Sequence, residues 1–260
     1  MLAGTVGHRS VTPQASIAPV VSALFVVECD ADTPVVSLPC PQPQIVVRYR
    51  PSARVTLDVH AVGAGATVRR KSGDRGQRAV VARLRLGTPE SLVGGPASAI
   101  AHRIVPLEDL WGAAAVRRLV DRLSGARDMD AAAAILEATV AERVAAGDRE
   151  SDRTRLAVEA AARLTCASVR TVAADLHMSE RHLRRVFREA VGVSPKVFTR
   201  LARFHRALRA ARGRGRANWA GIAAAAGYYD QAHLVAEFRS IAGAAPRAFL
   251  DELGAALAVG

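Results

Sequence analysis

Arginine is the side chain with the clearest chemistry in this sequence, because it bonds both phosphate oxygens and the edges of bases. The excess of Lys+Arg over Asp+Glu is 9 in residues 151–260 and only 3 in residues 1–150. Phosphates that such cations neutralise release counterions, which favours binding to a polyanion whatever its sequence. Arginine is frequent throughout and lysine occurs only as Lys71 and Lys196, so a solubilising surface remains the alternative explanation.

Residue types that serve catalysis or metal binding occur without a matching pattern. Cys29, Cys40 and Cys166 are odd in number and widely spaced, so they predict neither a disulfide framework nor a zinc site. Cys29 and Cys40 with His60 or His102 match no standard ligand set, and buried structural cysteines are the commoner case. The Gly-x-Ser-x-Gly and His-Glu-x-x-His motifs are both missing from the sequence. We expect no enzyme, no cofactor and no metal.

Residues 65–72 resemble a phosphate-binding loop, but the match fails at one position. That motif requires glycine immediately before its lysine, and Arg70 precedes Lys71 here. A surface turn is the better interpretation. The apolar residues 15–27 follow no basic segment and are too short to span a bilayer, so we expect a cytoplasmic protein without membrane contact.

Two segments near the C-terminal end, residues 172–198 and 222–249, repeat one pattern. Each begins with a short apolar helix, continues through a turn and enters a second helix. The first turn comprises residues 177–179, and the second, residues 227–230, is one residue longer. Beyond the turns the copies align at a constant offset of 51: Leu183 with Leu234, Phe187 with Phe238, Arg188 with Arg239, Gly192 with Gly243, Pro195 with Pro246, and Phe198 with Phe249.

The residues at the helix ends indicate what this repeat forms. Ser179 and Asp230 are N-caps that accept hydrogen bonds from free amides of the following helix. Gly192 and Gly243 end those helices, since glycine readily adopts the left-handed conformation. A short helix, a tight turn and a capped second helix make a helix-turn-helix, whose second helix enters the major groove of DNA.

The two copies together resemble the signature of the AraC/XylS family of bacterial transcription regulators. The resemblance rests on MSERHLRRVFRE at 178–189 with GVSP at 192–195, and on GYYDQAHL at 227–234 with FR at 238–239 and GAAP at 243–246. It covers residues 153–250, and VPLEDLWG at 105–112 resembles a segment between the halves of some members. It implies a seven-helix DNA-binding domain in which a long helix, here residues 195–212, joins the two motifs.

The resemblance also implies partners. They are double-stranded promoter DNA, RNA polymerase, an unknown small-molecule effector and a possible second copy of the chain. Members are more often activators than repressors, so activation is expected. One alternative is a constitutive regulator with a purely structural N-terminal domain, and a more remote one is an enzyme or cofactor domain fused to a DNA-binding module.

Alignment with the family also assigns the contacts to DNA. Arg181, Arg184 and Arg185 stand where bases are usually contacted, and we expect at least one of them to bond guanine. In the second motif Gln231, Ala232 and His233 lie at the exposed start of the helix, and Gln231 suits adenine. Ala236 replaces an arginine that is common in relatives, so weaker sequence reading is expected there. Phosphate contacts are expected from Ser179, Arg188, Lys196 and Arg239. The spacing of three residues along the long helix favours a solvated stripe over dedicated phosphate contacts, except where it comes near DNA, for Arg200, Arg203, Arg206, Arg209 and Arg212.

The fold class that positions these residues is α+β. Apolar or alternating segments at 20–27, 45–49, 55–62 and 80–86 predict strands of a sandwich or small barrel, a shape that often encloses one small ligand. Glycine-rich residues 63–65 and 72–76 predict turns. Helical periodicity follows, with stops at Gly125 and Gly147 and an N-cap at Asp130. We predict a β-rich sensor or dimerisation domain at 1–105, a helical connector at 106–150 and a DNA-binding domain at 151–260. The two motifs lie at about 170–192 and 220–243, and the linker at 147–152.

Overall fold

The computed structural model describes residues 6–51, 56–87, 90–147, 152–212 and 218–259. Residues of the predicted linker at 148–151, and Val55 of a predicted strand, lie outside this part. Most strands precede the helices along the chain, but one strand follows the first short helix and another lies at the C-terminal end. The strands are β1 Val6–Val11, β2 Val21–Cys29, β3 Thr33–Ser37, β4 Gln44–Arg50, β5 Thr56–Val62, β6 Arg69–Gly73, β7 Arg78–Leu84, β8 Ile104–Pro106 and β9 Leu257–Val259.

The helices fall into an N-terminal and a C-terminal group. The first group is α1 Glu90–Val93, α2 Leu107–Trp111, α3 Ala113–Ser124 and α4 Met129–Ala146. The second group is α5 Asp152–Leu164, α6 Val169–Asp175, α7 Glu180–Val191, α8 Pro195–Ala211, α9 Trp219–Ala226, α10 Gln231–Ala242 and α11 Pro246–Ala255. No described helix is long and apolar enough to cross a membrane.

Six strands form one antiparallel sheet in the order β1-β2-β7-β4-β5-β8. Side chains alternate between the two faces of a strand, so Ile45 and Val47 on β4 enter a core shared with α2, α3 and α4, while Val46 packs with Phe25 and Val81 on the other face. The segment predicted as a helical connector therefore contributes to the same core as the sheet. The β-rich N-terminal half of the predicted α+β fold is confirmed.

The predicted cap of α4 was wrong by two residues. Asp128, and not Asp130, is the N-cap, and its Oδ1 accepts a 2.7 Å hydrogen bond from the Ala131 amide. The helical stretch before Gly125 is two helices, since Gly112 interrupts it with a φ of +80°. That conformation strongly favours glycine.

A second, smaller sheet has the order β6-β3-β9. β3 pairs with β6 antiparallel and with β9 parallel, and β9 arrives from the far end of the chain. The surface turn predicted for residues 65–72 and the turn predicted at 72–76 are partly wrong, because Arg69–Gly73 is strand β6. The run Arg69, Arg70 and Lys71 lacks the apolar alternation of a strand, and β3 supplies the hydrogen bonds that hold it extended.

The C-terminal helices contain the predicted pair of helix-turn-helix units, α6 with α7 and α9 with α10. Four residues join the helices in both units, 176–179 and 227–230, because α6 ends at Asp175. The expectation of a longer second turn was therefore wrong, and the offset of 51 extends back to the ends of α6 and α9. The long helix α8 joins the units, and its Phe204 ring lies 4.7 Å from Phe238 and 6.0 Å from Phe249, measured between ring centroids.

Candidate nucleic-acid interface

Helix α7 is held with its arginine face toward solvent. The Ser179 Oγ accepts a 3.2 Å hydrogen bond from the His182 amide, which fixes the start of the helix. Gly192 ends it with a φ of +89° and donates its amide hydrogen to the Arg188 carbonyl. Leu183 and Phe187 are fully buried. The opposite face of this strongly amphipathic helix must therefore be exposed.

The exposed face of α7 brings together the residues that the sequence predicts to contact DNA. These side chains and the N-cap residues of α7 and α8 line one concave surface. Its residues are Ser179, Arg181, His182, Arg184, Arg185, Arg188 and Ser194. Arg184 forms an ion pair with Glu180, one turn earlier. The Arg185 Nη1 lies 3.5 Å from the Glu189 Oε1.

Two cations on α7 are not committed to a carboxylate. Within the described part of the chain Arg181 and Arg188 have no ion-pair partner, and both are exposed. A bound phosphate or base would meet these guanidinium groups without displacing an acid. A contact between Arg184 and DNA would require the release of Glu180, at a low cost in free energy, since exposed ion pairs contribute little stability.

Helix α10 begins in the same way but exposes a less basic face. The Asp230 Oδ1 accepts a 2.7 Å hydrogen bond from the His233 amide. Gln231, Ala232 and Ala236 are exposed, as the sequence predicts. The buried Glu237, one turn later in the same helix, contacts the His233 ring: the His233 Nε2 lies 3.5 Å from the Glu237 Oε2.

Glu237 is a positioning residue that sequence reasoning missed. Its side chain is 5% exposed, and its carboxylate lies 3.5 Å from the Arg200 Nε and 3.2 Å from the Arg203 Nη2. The expected solvated stripe on α8 is therefore wrong for these two arginines. They join α8 to α10 and fix the second recognition helix relative to the first. A lone glutamate on the inner face of α10 was the available signal.

The two tyrosines before α10 have opposite environments. Tyr228 is buried, the Arg203 guanidinium lies 5.3 Å from its ring centroid, and burial raises the pKa of its hydroxyl. Tyr229 is 93% exposed. The remaining residues predicted to bind phosphate, Lys196 and Arg239, are also exposed.

The C-terminal helices α5–α11 are called the DNA-binding half below, and the elements before them the N-terminal half. The two halves are in contact through the small sheet. The Arg70 Nε lies 2.5 Å from the Glu252 Oε1 on α11, and its Nη2 donates a 2.5 Å hydrogen bond to the Ala242 carbonyl at the end of α10. The Val68 amide donates to the Ile241 carbonyl at 2.9 Å. The pairing partner of Arg70 on β3, Val36, belongs to the hydrophobic core of α8–α11.

The first motif is also in contact with the N-terminal half. Gly192 lies close to two residues of the N-terminal half. A Cβ added to it would lie 3.2 Å from the Ala64 Cβ and 3.0 Å from the Ala97 carbonyl oxygen. Ala64 belongs to the hydrophobic core of α5–α8. Both recognition helices are therefore coupled to the N-terminal half at their C-terminal ends.

A cavity of about 300 Å³ lies between the two sheets. Its lining includes Val46, His60, Leu38, Arg69 and Lys71. The small sheet therefore has the cavity on one face and the DNA-binding half on the other. Cys29 and Cys40 also line the cavity, and burial raises the pKa of both thiols.

Part of the chain is similar to a known protein family. Residues 172–252 match the family model described as a helix-turn-helix domain. A comparison with curated protein sequences finds no match. Among solved structures, the chain is similar to a DNA-binding transcriptional dual regulator from Escherichia coli K-12, with 22% identity, a TM-score of 0.32 and coverage of 39% of this chain and 91% of that one.

It is also similar to ToxT from Vibrio cholerae strain SCE256 with an unsaturated fatty acid bound, with 12% identity, a TM-score of 0.44 and coverage of 87% of this chain and 94% of that one. A second ToxT structure, from Vibrio cholerae O395 with (E)-4-(8-methylnaphthalen-1-yl)but-3-enoic acid, gives 11% identity and a TM-score of 0.44, covering 88% and 97%.

Residues 172–252 are thus a helix-turn-helix domain. The helix-turn-helix is a DNA-binding module, so the chain carries a DNA-binding domain.

Proposed function

We propose that this protein is a transcription regulator that binds promoter DNA in a sequence-specific manner through α7 and α10, and that a small molecule in the N-terminal cavity controls this binding. Activation of transcription, through contact with RNA polymerase in the cytoplasm, is the expected outcome from the AraC/XylS resemblance. A second copy of the chain is a further expected partner.

The observation that carries the proposal is the position of the small sheet between the cavity and the DNA-binding half. Leu38 lines the cavity and also belongs to the core of α8–α11. The Pro39 carbonyl accepts a 2.7 Å hydrogen bond from the His205 Nε2 on α8. A ligand that moves β3 or β6 therefore changes contacts made by α8, α10 and α11. Such differential contact is what any ligand-driven change requires.

Sequence-specific binding is supported by the unequal recognition helices. Arginine forms bidentate bonds with guanine, and a good pair contributes roughly 1–3 kcal/mol of discrimination. Helix α7 presents Arg181, Arg184 and Arg185 on one exposed face, whereas α10 presents Gln231 and Ala232 at its start. We therefore assign most base reading to the first motif, with shape and phosphate contact from the second.

The test combines genome-wide mapping of bound sites with a thermal-shift screen of the full chain against metabolites. We expect discrete bound sites sharing a sequence motif, since a non-specific binder would give none. A ligand that binds only the folded state must raise the melting temperature, and it should also change the affinity for a mapped site. Discrete sites with no metabolite response, and with unregulated promoter activity, would instead favour a constitutive regulator with a structural N-terminal domain.

A further inference from the structure

The cavity between the sheets has a strongly basic end. Arg48 from β4 and Arg69 and Lys71 from β6 line it together. The Asp58 carboxylate, which attracts Lys71 electrostatically, is already shared: the Arg48 Nη1 lies 3.4 Å away and the Arg50 Nη2 lies 3.0 Å away.

The remaining basic groups at this end are not neutralised. Arg69 and Lys71 have no ion-pair partner among the residues that the structure describes. Partial desolvation lowers the pKa of Lys71, a residue that is nevertheless exposed to solvent, and repulsion from Arg48 and Arg69 adds to the effect. An anion placed between these groups would relieve the repulsion and accept their hydrogen bonds, and such charge-assisted bonds are stronger than neutral ones.

The cavity lining as a whole is mostly apolar. Its walls include Val27, Val35, Val62 and Val81, and Ile104 lies with them as a large hydrophobic side chain that is 58% exposed. Mostly apolar walls with a few convergent polar groups are typical of small-molecule sites, and 300 Å³ lies at the small end of their range.

We propose that the cavity binds a small molecule with a compact anionic group, a carboxylate or a phosphate, carried on an apolar body. The anionic group would lie against Arg69 and Lys71, and the apolar body against the valines and Ile104. This assignment of ligand class rests on the proposed function, in which the cavity is the effector site.

The strand β6 gives this site a direct connection to the DNA-binding half. Alternation places Arg69 and Lys71 on one side of the strand and Arg70 on the other. Arg70 holds Glu252 and the Ala242 carbonyl. A change in the position of the two cavity-facing cations therefore moves the residue that contacts α10 and α11.

The test uses two acids that share one apolar body, each with an uncharged counterpart. The compounds are 4-butylbenzoate with 4-butylbenzamide, and 4-butylphenyl phosphate with 4-butylphenol. Binding to the full chain is measured by calorimetry and by thermal shift. We expect at least one acid to bind more tightly than its counterpart, and Lys71→Gln and Arg69→Gln each to weaken that acid roughly tenfold or more, the loss of one charge-assisted hydrogen bond. Arg117→Gln, an exposed arginine on α3, is the matched control and should leave binding unchanged.

The outcomes separate this inference from the proposed function. Equal binding of acids and counterparts, or acid binding that both cavity variants leave intact, would overturn the anionic assignment. If a neutral compound binds and changes DNA affinity, the small-molecule response stands and the anionic assignment alone falls. If none of the four compounds binds, the anionic assignment falls, and the metabolite screen decides the response separately.

A second, independent observation concerns Tyr229. This side chain is 93% exposed, next to a buried tyrosine, in the connection that leads into α10. Its neighbour Asp230 caps α10, so Tyr229 stands at the N-terminal end of the second recognition helix, the end that contacts base edges in helix-turn-helix docking. The residue 51 positions earlier, Met178, is half-buried, so the first motif has no equally exposed side chain at the corresponding position.

We infer that Tyr229 is a DNA contact of the second motif, in a helix that lacks exposed arginine at its start. An aromatic ring offers apolar contact to a sugar or thymine methyl, and its hydroxyl can donate to a phosphate. This contact adds to an interface whose exposed residues continue from Tyr229 into Gln231 and Ala232.

The test measures affinity of the full chain for the tightest DNA fragment from an in vitro selection. We expect Tyr229→Ala to weaken binding about fivefold or more, and Tyr229→Phe to show whether hydroxyl or ring is responsible. Val158→Ala, at another exposed hydrophobic position, is the control. Unchanged affinity and footprint in Tyr229→Ala, with an unchanged melting temperature, would overturn the inference.

Discussion

Arg70 and Glu252 are 182 positions apart in the chain, yet two guanidinium nitrogens of Arg70 meet both carboxylate oxygens of Glu252, at 2.5 and 2.9 Å. This bidentate pair joins the wall of the cavity to the last helix of the DNA-binding half. Arginine is suited to such a contact because its planar fork matches a carboxylate.

The Arg70–Glu252 pair should be necessary for communication between the two halves. We expect Arg70→Glu to reduce the change in DNA affinity that an effector causes, and Arg70→Glu with Glu252→Arg to restore part of it. The measurement is DNA affinity with and without effector for both single variants and the double variant. A double variant no better than the singles would mean that the pair itself is not the coupling element.

The two recognition helices should contribute unequally to specific binding. Replacing Arg184 and Arg185 with alanine should abolish specific binding, because it removes donors from the helix with the richer set. Replacing Gln231 with alanine should weaken the free energy of specific binding by no more than one base contact contributes, about 1–3 kcal/mol. A gel-shift series on one mapped site makes the comparison, and equal losses in the two variants would contradict it.

The residues predicted to bind phosphate should affect salt dependence and not sequence preference. We expect glutamine at Arg188, Lys196 or Arg239 to weaken binding to all DNA sequences alike and to lower the slope of log affinity against log salt by about 1 each. Titrations at several salt concentrations, on specific and unrelated DNA, provide the slopes. An altered preference among sequences would show that the residue reads bases.

Gly192 and Gly243 offer a matched pair of substitutions. Both have positive φ, +89° and +72°, so alanine should cost about 1–2 kcal/mol of backbone strain at either position. At Gly192 the new Cβ would also lie 3.0 Å from the Ala97 carbonyl oxygen, whereas at Gly243 the nearest atom is 3.9 Å away. Gly192→Ala should therefore lower the free energy of unfolding more than Gly243→Ala. Equal losses in a denaturant titration would show that the N-terminal half does not press on α7.

Stability should fall as the pH drops through the ordinary pKa of histidine. Burial lowers the pKa of His205, while its hydrogen bond to the Pro39 carbonyl opposes the shift. The unfolded chain therefore takes up the proton first as the pH falls below about 6.5, and the free energy of unfolding decreases there. We expect His205→Gln to have a shallower dependence of melting temperature on pH between 7.5 and 5.5. Identical dependence in both proteins would assign the effect to other groups.

Local signals made the DNA-binding half predictable. Ser179, Asp230, Gly192 and Gly243 act within a few residues of themselves, so their roles can be deduced from spacing alone. Their capping and helix-ending roles are confirmed, as is the long helix that begins at Pro195. The end of α6 was misplaced by one residue because Leu176 continues the apolar pattern beyond the last helical residue.

Long-range contacts explain what was missed. β6 is a strand because β3 pairs with it. The sequence around Arg70 has no apolar alternation, so it does not predict a strand there. Glu237 is buried because Arg200 and Arg203 reach it from another helix, and the chemistry of a single glutamate does not predict burial. The assignment of individual arginines to bases stays a prediction.

The alternation along β6 limits how this chain can evolve. A substitution at one of residues 69–71 changes the charge on one face of the strand and leaves the other face unchanged, since neighbouring side chains lie on opposite faces. Gain or loss of a single residue there would exchange the two sides, turning Arg70 into the cavity and its neighbours toward α11. Relatives of this protein should therefore vary in loop length around the strand while the strand itself keeps a constant number of residues.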